Sequence, residues 1–417
     1  MTISTLQKKA TSWWIWILGI DIFLVLNTGI YKYLPEYLPD FSARGYLGHF
    51  LLWGENNLAV WWSSLNLFVA GCLAYEAFCH LGAKTRNAWL TLAILFVALS
   101  ADELGSFHER LGGWMNLLPY AILGIGLLIY ALTILFRERQ SRFLATCILL
   151  GFVIFGLVAV QEYFEHAIEW PFWLLGLRVA MEEGSELLGI FVCLIGIVRQ
   201  RREHFSPSAF VAIVPNPWRM KFLSLILLGG AAFHCVISLY VASSLTASDF
   251  ISRGNPTLWY PSMVAFLLFS ALLWSHLEKP MSNRHLPLLM LSIYSLISSA
   301  LVVDPIRWLG VSNRLYLLYF IQIVVIGLGL FYAERNVETI NCNFLWPLSL
   351  LVGLGLIGLM IEDTLIQYLL SGFLYYGLYE SLVIRDLGGH RRRLSILKKR
   401  SDCGGLSDSP ASTAPHQ

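Results

Sequence analysis

Apolar runs of about 20 residues, each long enough to cross a hydrocarbon core of about 30 Å as a helix, follow one another from Trp13 almost to Val383. They occupy 12–33, 58–82, 88–108, 117–136, 143–166, 174–198, 221–245, 258–276, 286–304, 314–334, 344–362 and 364–384. This pattern predicts an all-α, polytopic integral membrane protein of about twelve transmembrane helices. Glu362 and Asp363 leave almost no loop between the last two runs, which form either a helical hairpin or one broken helix, giving a count of eleven. The short alternating strands of a membrane barrel are not seen. Lys8 and Lys9 precede the first run, but no A-x-A cleavage site follows it, so it reads as a retained span rather than a signal peptide.

Charge orients the molecule. With the N-terminus inside, 22 Lys and Arg residues fall in cytoplasmic segments and 6 outside, with Arg178 within a span. That asymmetry is the positive-inside pattern, and it puts both termini in the cytoplasm of a multi-pass inner-membrane protein. The longest connection carries Arg199, Arg201 and Arg202 and then Pro207, Pro215 and Pro217, which stop a helix. It divides the chain into a six-span half over 1–200, a linker over 201–220, a second six-span half over 221–385 and a cytoplasmic tail over 386–417. No convincing sequence repeat relates the halves, so an inverted repeat of the transporter kind has no support. The basic cluster from Arg391 to Arg400 suits anionic headgroups, and the Ser-, Gly- and Pro-rich residues beyond it suit disorder.

Composition agrees, with 57% hydrophobic and 13% charged residues, so that most of the chain is solvated by lipid. A net charge of +2 gives no reason to expect nucleic acid as a partner. The seven cysteines fall in apolar runs or cytoplasmic segments and do not suggest a disulfide framework.

Three segments break the apolar pattern with acids: Ala101–Glu109, containing Asp102, Glu103, His108 and Glu109; Gln161–Glu169, containing Glu162, Glu165, His166 and Glu169; and Met181–Glu186, containing Glu182, Glu183 and Glu186. Together they hold nine carboxylates and two histidines. The third and fifth spans run outward and end in acids, whereas the sixth runs inward and begins with them, so all three segments share a depth near the outer face. On a helix, Glu162, Glu165, His166 and Glu169 fall on one face, and Glu182 and Glu186 lie one turn apart. Asp102 and Glu109 share a face that Glu103 and His108 do not, unless the helix ends within the motif.

So many like charges cannot all stay ionised in a low-dielectric setting. Either several are protonated, as in a relay, or a cation neutralises them. Mixed carboxylate and imidazole donors suit a divalent metal ion such as zinc, manganese or iron. The Glu-x-x-His spacing of carboxylate-bridged di-iron bundles is absent, and so is the histidine-rich pattern of membrane desaturases. Blander readings compete: Glu109, Arg110 and Glu169 as solvated helix ends, Glu182 with Arg178 as a structural ion pair, and His108 and His166 as packed, hydrogen-bonded side chains. Glu55, Asn56 and Asn57 either reach the acids from the second span or form a polar helix start. Asp21, Glu76, His234 and His276 are isolated and suit packing or interfacial roles. Asp304, Glu362 and Asp363 are explained by loop positions. No nucleotide-binding glycine loop and no Gly-x-Ser-x-Gly elbow is present.

At Glu55-Asn56-Asn57, Asp102-Glu103 with His108-Glu109, and Glu182-Glu183 with Glu186, the chain resembles a group of uncharacterised bacterial multi-spanning membrane proteins, over roughly residues 45–200. The resemblance implies that these acids act as a unit and implies no reaction. The reading that follows is a metal-dependent hydrolase or transferase acting on a lipid or lipid-linked substrate. Asp102, His108, Glu109, Glu162, Glu165, His166, Glu182 and Glu186 would serve as metal ligands, and Glu183 and Glu103 as catalytic groups. A proton- or cation-coupled transporter and a non-catalytic membrane assembly protein are the alternatives.

Overall fold

The computed structural model describes residues 13–38, 47–52, 57–80, 84–107, 114–167 and 170–204, with 259–260, 262–264, 266–267, 269, 293 and 296. The described residues contain no strand. Six long helices follow one another: α1 (Trp13–Tyr31), α2 (Leu58–His80), α3 (Arg86–Gly105), α4 (Trp114–Arg137), α5 (Arg142–Ala167) and α6 (Phe172–His204). Five of them, α1 to α5, are long and apolar enough to cross a membrane, which marks a multi-pass membrane protein. The sixth carries Arg178, Glu182, Glu183 and Glu186 in its first half and Arg199, Arg201 and Arg202 near its end, so its apolar stretch is shorter than its 33 residues.

Neighbouring helices pack α2 on α3, α3 on α4, α4 on α5, α5 on α6 and α6 back on α2, closing a ring of five, while α1 packs outside the ring against α6. One buried cluster fills the ring with side chains from every member, including Leu67, Trp89, Phe96, Leu135, Ile148, Ile190 and Ile197. α2 and α3 run in opposite directions, since Ser64 bonds Ser100 while Gly71 abuts Val97.

Helix crossings are set by glycine. A Cβ on Gly176 of α6 would fall on the carbonyl oxygen of Gly29 of α1, and one on Gly151 of α5 would lie 2.7 Å from that of Gly189 of α6. Close backbone approach of this kind is how helices associate in lipid, where burial of apolar area gives no preference for a neighbouring helix over an acyl chain.

Polar side chains satisfy the backbone where helices end. Asn57 caps α2, its Oδ1 accepting from the Ala59 and Val60 amides at 2.9 and 3.0 Å. Asn27 of α1 donates to the Leu47 and Phe50 carbonyls at 3.1 and 2.9 Å, and Thr28 Oγ1 accepts from the Leu52 amide at 3.0 Å. These bonds hold the 47–52 segment against α1 where a free backbone would be costly. Tyr33 bridges the chain after α1 to the first turn of α6, its hydroxyl donating to the Trp173 carbonyl at 2.7 Å and accepting from the Gly176 amide at 3.0 Å.

Candidate functional site

The ring has two unlike ends. Toward the end where α2 finishes and α3 begins, its interior is packed with apolar side chains, with Trp89, Leu92, Phe96, Leu144, Ile148, Cys193 and Ile197 wholly buried. At the opposite, upper end the same stripes run into acids. Seven residues along a helix return to nearly the same face. On α3, one heptad beyond Phe96 is Glu103. On α6, one heptad before Cys193 is Glu186, and one before Gly189 is Glu182. On α5, Glu162, Glu165 and His166 fall in the last turns, beyond Phe152 and Phe155, which pack against the core.

Cross-helix contacts tie these positions to one level. Ser64 and Ser100 approach at 3.0 Å, so Asp102 and Glu103 stand beside Trp61 and Trp62 of the antiparallel α2. The Trp62 indole donates to Asp21 of α1 at 2.8 Å. Val25, one turn along α1, faces Gly184 of α6. Gln161 of α5 donates to Ser185 of α6 at 3.2 Å. At 1.5 Å of rise per residue, the acids of α3, α5 and α6 lie within about 10 Å along the bundle axis.

Asp102, Glu103, Glu182, Glu183 and Glu186 are all half-buried, in contrast to the closed core below them. Glu162, Glu165 and His166 lie on the last turns of α5. His108, Glu109 and Glu169 lie outside the described residues, as do Glu55 and Asn56. Among the described residues, no group of three His, Cys, Asp or Glu side chains is close enough to hold a metal ion.

The geometry of the first motif has a local cause. α3 ends at Gly105, and Ser106 takes the left-handed conformation at φ 45°, ψ 45°. The Phe107 ring folds back over Gly105, where a Cβ would lie 2.7 Å from it. The helix therefore ends within the motif, and an ideal-helix projection from Asp102 and Glu103 does not carry past Gly105. Of the other polar positions, Asn57 is the helix cap already described, Asp21 is the acceptor for Trp62, and Glu76 pairs with Arg201 at 2.7 Å across α2 and α6.

One buried polar group escapes sequence reasoning. Ser64 and Ser100 each donate to the other's backbone carbonyl, at 2.7 and 2.8 Å, and the Trp259 indole donates to Ser100 Oγ at 2.9 Å. Serines in an apolar run are the only signal the sequence offers for it.

Residues 41–199 match a domain of unknown function, DUF8692. The DUF8692 region takes in α2 to α5 and α6 as far as Arg199, and so holds the ring and all three acidic segments, while α1 and the second half of the chain lie outside it. It nearly coincides with the stretch whose motifs resemble the uncharacterised membrane-protein group. No curated protein and no solved structure matches the chain.

Proposed function

We propose that the upper end of the DUF8692 ring is a cation-binding site facing the outside of the cell, serving a metal-dependent hydrolase or transferase that acts on a lipid or lipid-linked substrate. The observation that carries this reading is that acids gather at one end of the ring: Asp102 and Glu103 at the end of α3, Glu162, Glu165 and His166 on the last turns of α5, and Glu182, Glu183 and Glu186 in the first half of α6. Carboxylates that prolong a packed interior need a counter-charge. The donor set of hard oxygens and imidazole suits a divalent ion such as zinc, manganese or iron. Asp102, His108, Glu109, Glu162, Glu165, His166, Glu182 and Glu186 supply those donors, and a bound ion would polarise a substrate oxygen or lower the pKa of water. Glu183 is the general base in this reading and Glu103 its catalytic partner.

The distribution of Lys and Arg supports the orientation: about twelve spans with both termini in the cytoplasm put the upper end at the outer face of an inner membrane. A lipid substrate would reach the half-buried acids laterally, from the bilayer.

Metal analysis of the purified protein tests the proposal. A stoichiometric divalent metal, lost in Glu162→Ala and His166→Ala variants that remain folded, is the expected result. Folded wild-type protein that carries no metal and takes none up overturns it. Because the described acids do not converge in threes, a proton- or cation-coupled transporter is the second reading. It would appear in the same preparation as metal-free protein whose proteoliposomes support cation or proton flux.

A further inference from the structure

The end of the ring remote from the acids carries a basic turn. Arg137, Arg139 and Arg142 stand where α4 gives way to α5, and all three are exposed. The one acid of the turn is Glu138, which is half-buried. Three cations therefore meet a single carboxylate.

Neighbouring groups hold this turn in place. The Ser141 amide donates to the Glu138 carbonyl at 2.9 Å, and Gln200 of α6 donates to the buried Ser141 hydroxyl at 3.5 Å. Arg142 Nε donates to the Phe136 carbonyl at 3.2 Å, which ties its guanidinium to the end of α4. Arg199 of α6 lies over the Phe143 ring at 4.0 Å, and its Nε donates to Glu203 at 3.0 Å. Cations fixed in this way lose less freedom when they grip an anion.

Beside the turn, both helices present an apolar face outward. On α5, Phe143, Leu150, Val153 and Leu157 are exposed, as are Ile122, Ile125, Ile129 and Phe136 on α4. These stripes run into the arginines without a break, since Phe136 precedes Arg137 and Phe143 follows Arg142. The guanidinium groups thus stand at the level where acyl chain gives way to headgroup. A soluble acidic partner would have to enter the headgroup layer to reach them, whereas a phospholipid already has its phosphate there.

We propose that the α4–α5 turn, with Arg199 beside it, binds an anionic phospholipid of the leaflet at that end. Arg137, Arg139 and Arg142 hold its phosphate, and its acyl chains lie along the exposed faces of α4 and α5. Arginine suits the task because its planar fork bonds two phosphate oxygens at once, and basic clusters at helix ends recognise anionic headgroups. The site stands apart from the acids at the other end and does not depend on whether those bind metal.

Native mass spectrometry of the full chain in detergent, titrated with phosphatidylglycerol and phosphatidylcholine in competition, tests the proposal. Wild-type protein should prefer phosphatidylglycerol about tenfold, and the triple variant Arg137→Gln, Arg139→Gln, Arg142→Gln should bring that preference to about twofold or less. The double variant Lys84→Gln, Arg86→Gln, which removes two exposed cations at the same end of the ring, should keep the wild-type preference. Equal loss in both variants would reduce the effect to net charge and overturn the site, as would a triple variant that binds like wild type. Displacement of the lipid by millimolar inorganic phosphate overturns it as a lipid site. Should loss of the arginines disturb membrane insertion, wild-type protein with a phosphatidylglycerol carrying a photoactivatable acyl chain gives an independent readout. Label should concentrate in 129–150, and labelling spread evenly round the bundle overturns the proposal.

Discussion

Asp21 sits in the middle of an apolar helix with only 6% of its surface exposed, and its carboxylate accepts the Trp62 indole N–H. That bond makes hydrogen-bond acceptance, rather than charge, the feature that stability requires at this position. Asn keeps an acceptor oxygen of nearly the same reach, so Asp21→Asn should unfold within about 1 kcal/mol of wild type in detergent. Asp21→Leu strands the indole donor and should cost about 1–3 kcal/mol. Thermal unfolding of the two variants side by side decides the point, and equal losses in both would show that the charge itself is required. Residue-scale features of this kind are poorly legible in a sequence. Asp21 shows there as an isolated acid, whereas its partner lies 41 positions away on another helix. Asn57 is the reverse case, because an N-cap is a local device whose residue type announces it.

At the scale of the helix, the apolar runs of the first half locate α1 to α6 because length and hydrophobicity are local properties that lipid reads directly. Their ends are less legible. α6 extends from Phe172 to His204 rather than over 174–198, since a helix need not stop where its apolar stretch stops. α3 stops at Gly105 rather than 108, because the Phe107 ring and the left-handed Ser106 turn the chain. The crossing points are invisible to hydropathy, which cannot distinguish a glycine in a seam from one facing lipid. Gly176 lies against Gly29, whereas a Cβ on Gly124 of α4 would meet nothing within 4 Å. Gly176→Val should therefore cost about 1–3 kcal/mol by forcing α1 from α6. Gly124→Ala should be neutral or stabilise by up to about 1 kcal/mol through helix propensity. Unfolding of both variants in one detergent gives the comparison, and a Gly176→Val protein as stable as wild type would remove the α1–α6 seam as a determinant of the fold.

For the whole molecule, the site reading depends on which end of the ring faces outward, and that orientation rests on charge alone. The acid level and the Arg201–Glu76 pair lie at opposite ends of the bundle. The turn between α4 and α5, with Arg137, Arg139 and Arg142 around it, belongs to the same end as Arg201 through the stacking of Arg199 on Phe143 at 4.0 Å. Moving arginines of this density across a membrane during insertion is disfavoured, which is the physical content of the positive-inside rule. Gln140 in that turn and Glu36 beyond α1 are both exposed and lie at opposite ends of the ring. A cysteine at Glu36 should react with a membrane-impermeant maleimide in intact cells, above the labelling of the native cysteines. A cysteine at Gln140 should react only once the membrane is opened or inverted. Labelling of Gln140→Cys from the outside would place the acids on the cytoplasmic face. A substrate delivered from the outer leaflet would then be excluded, while metal binding by the same residues would stand untouched.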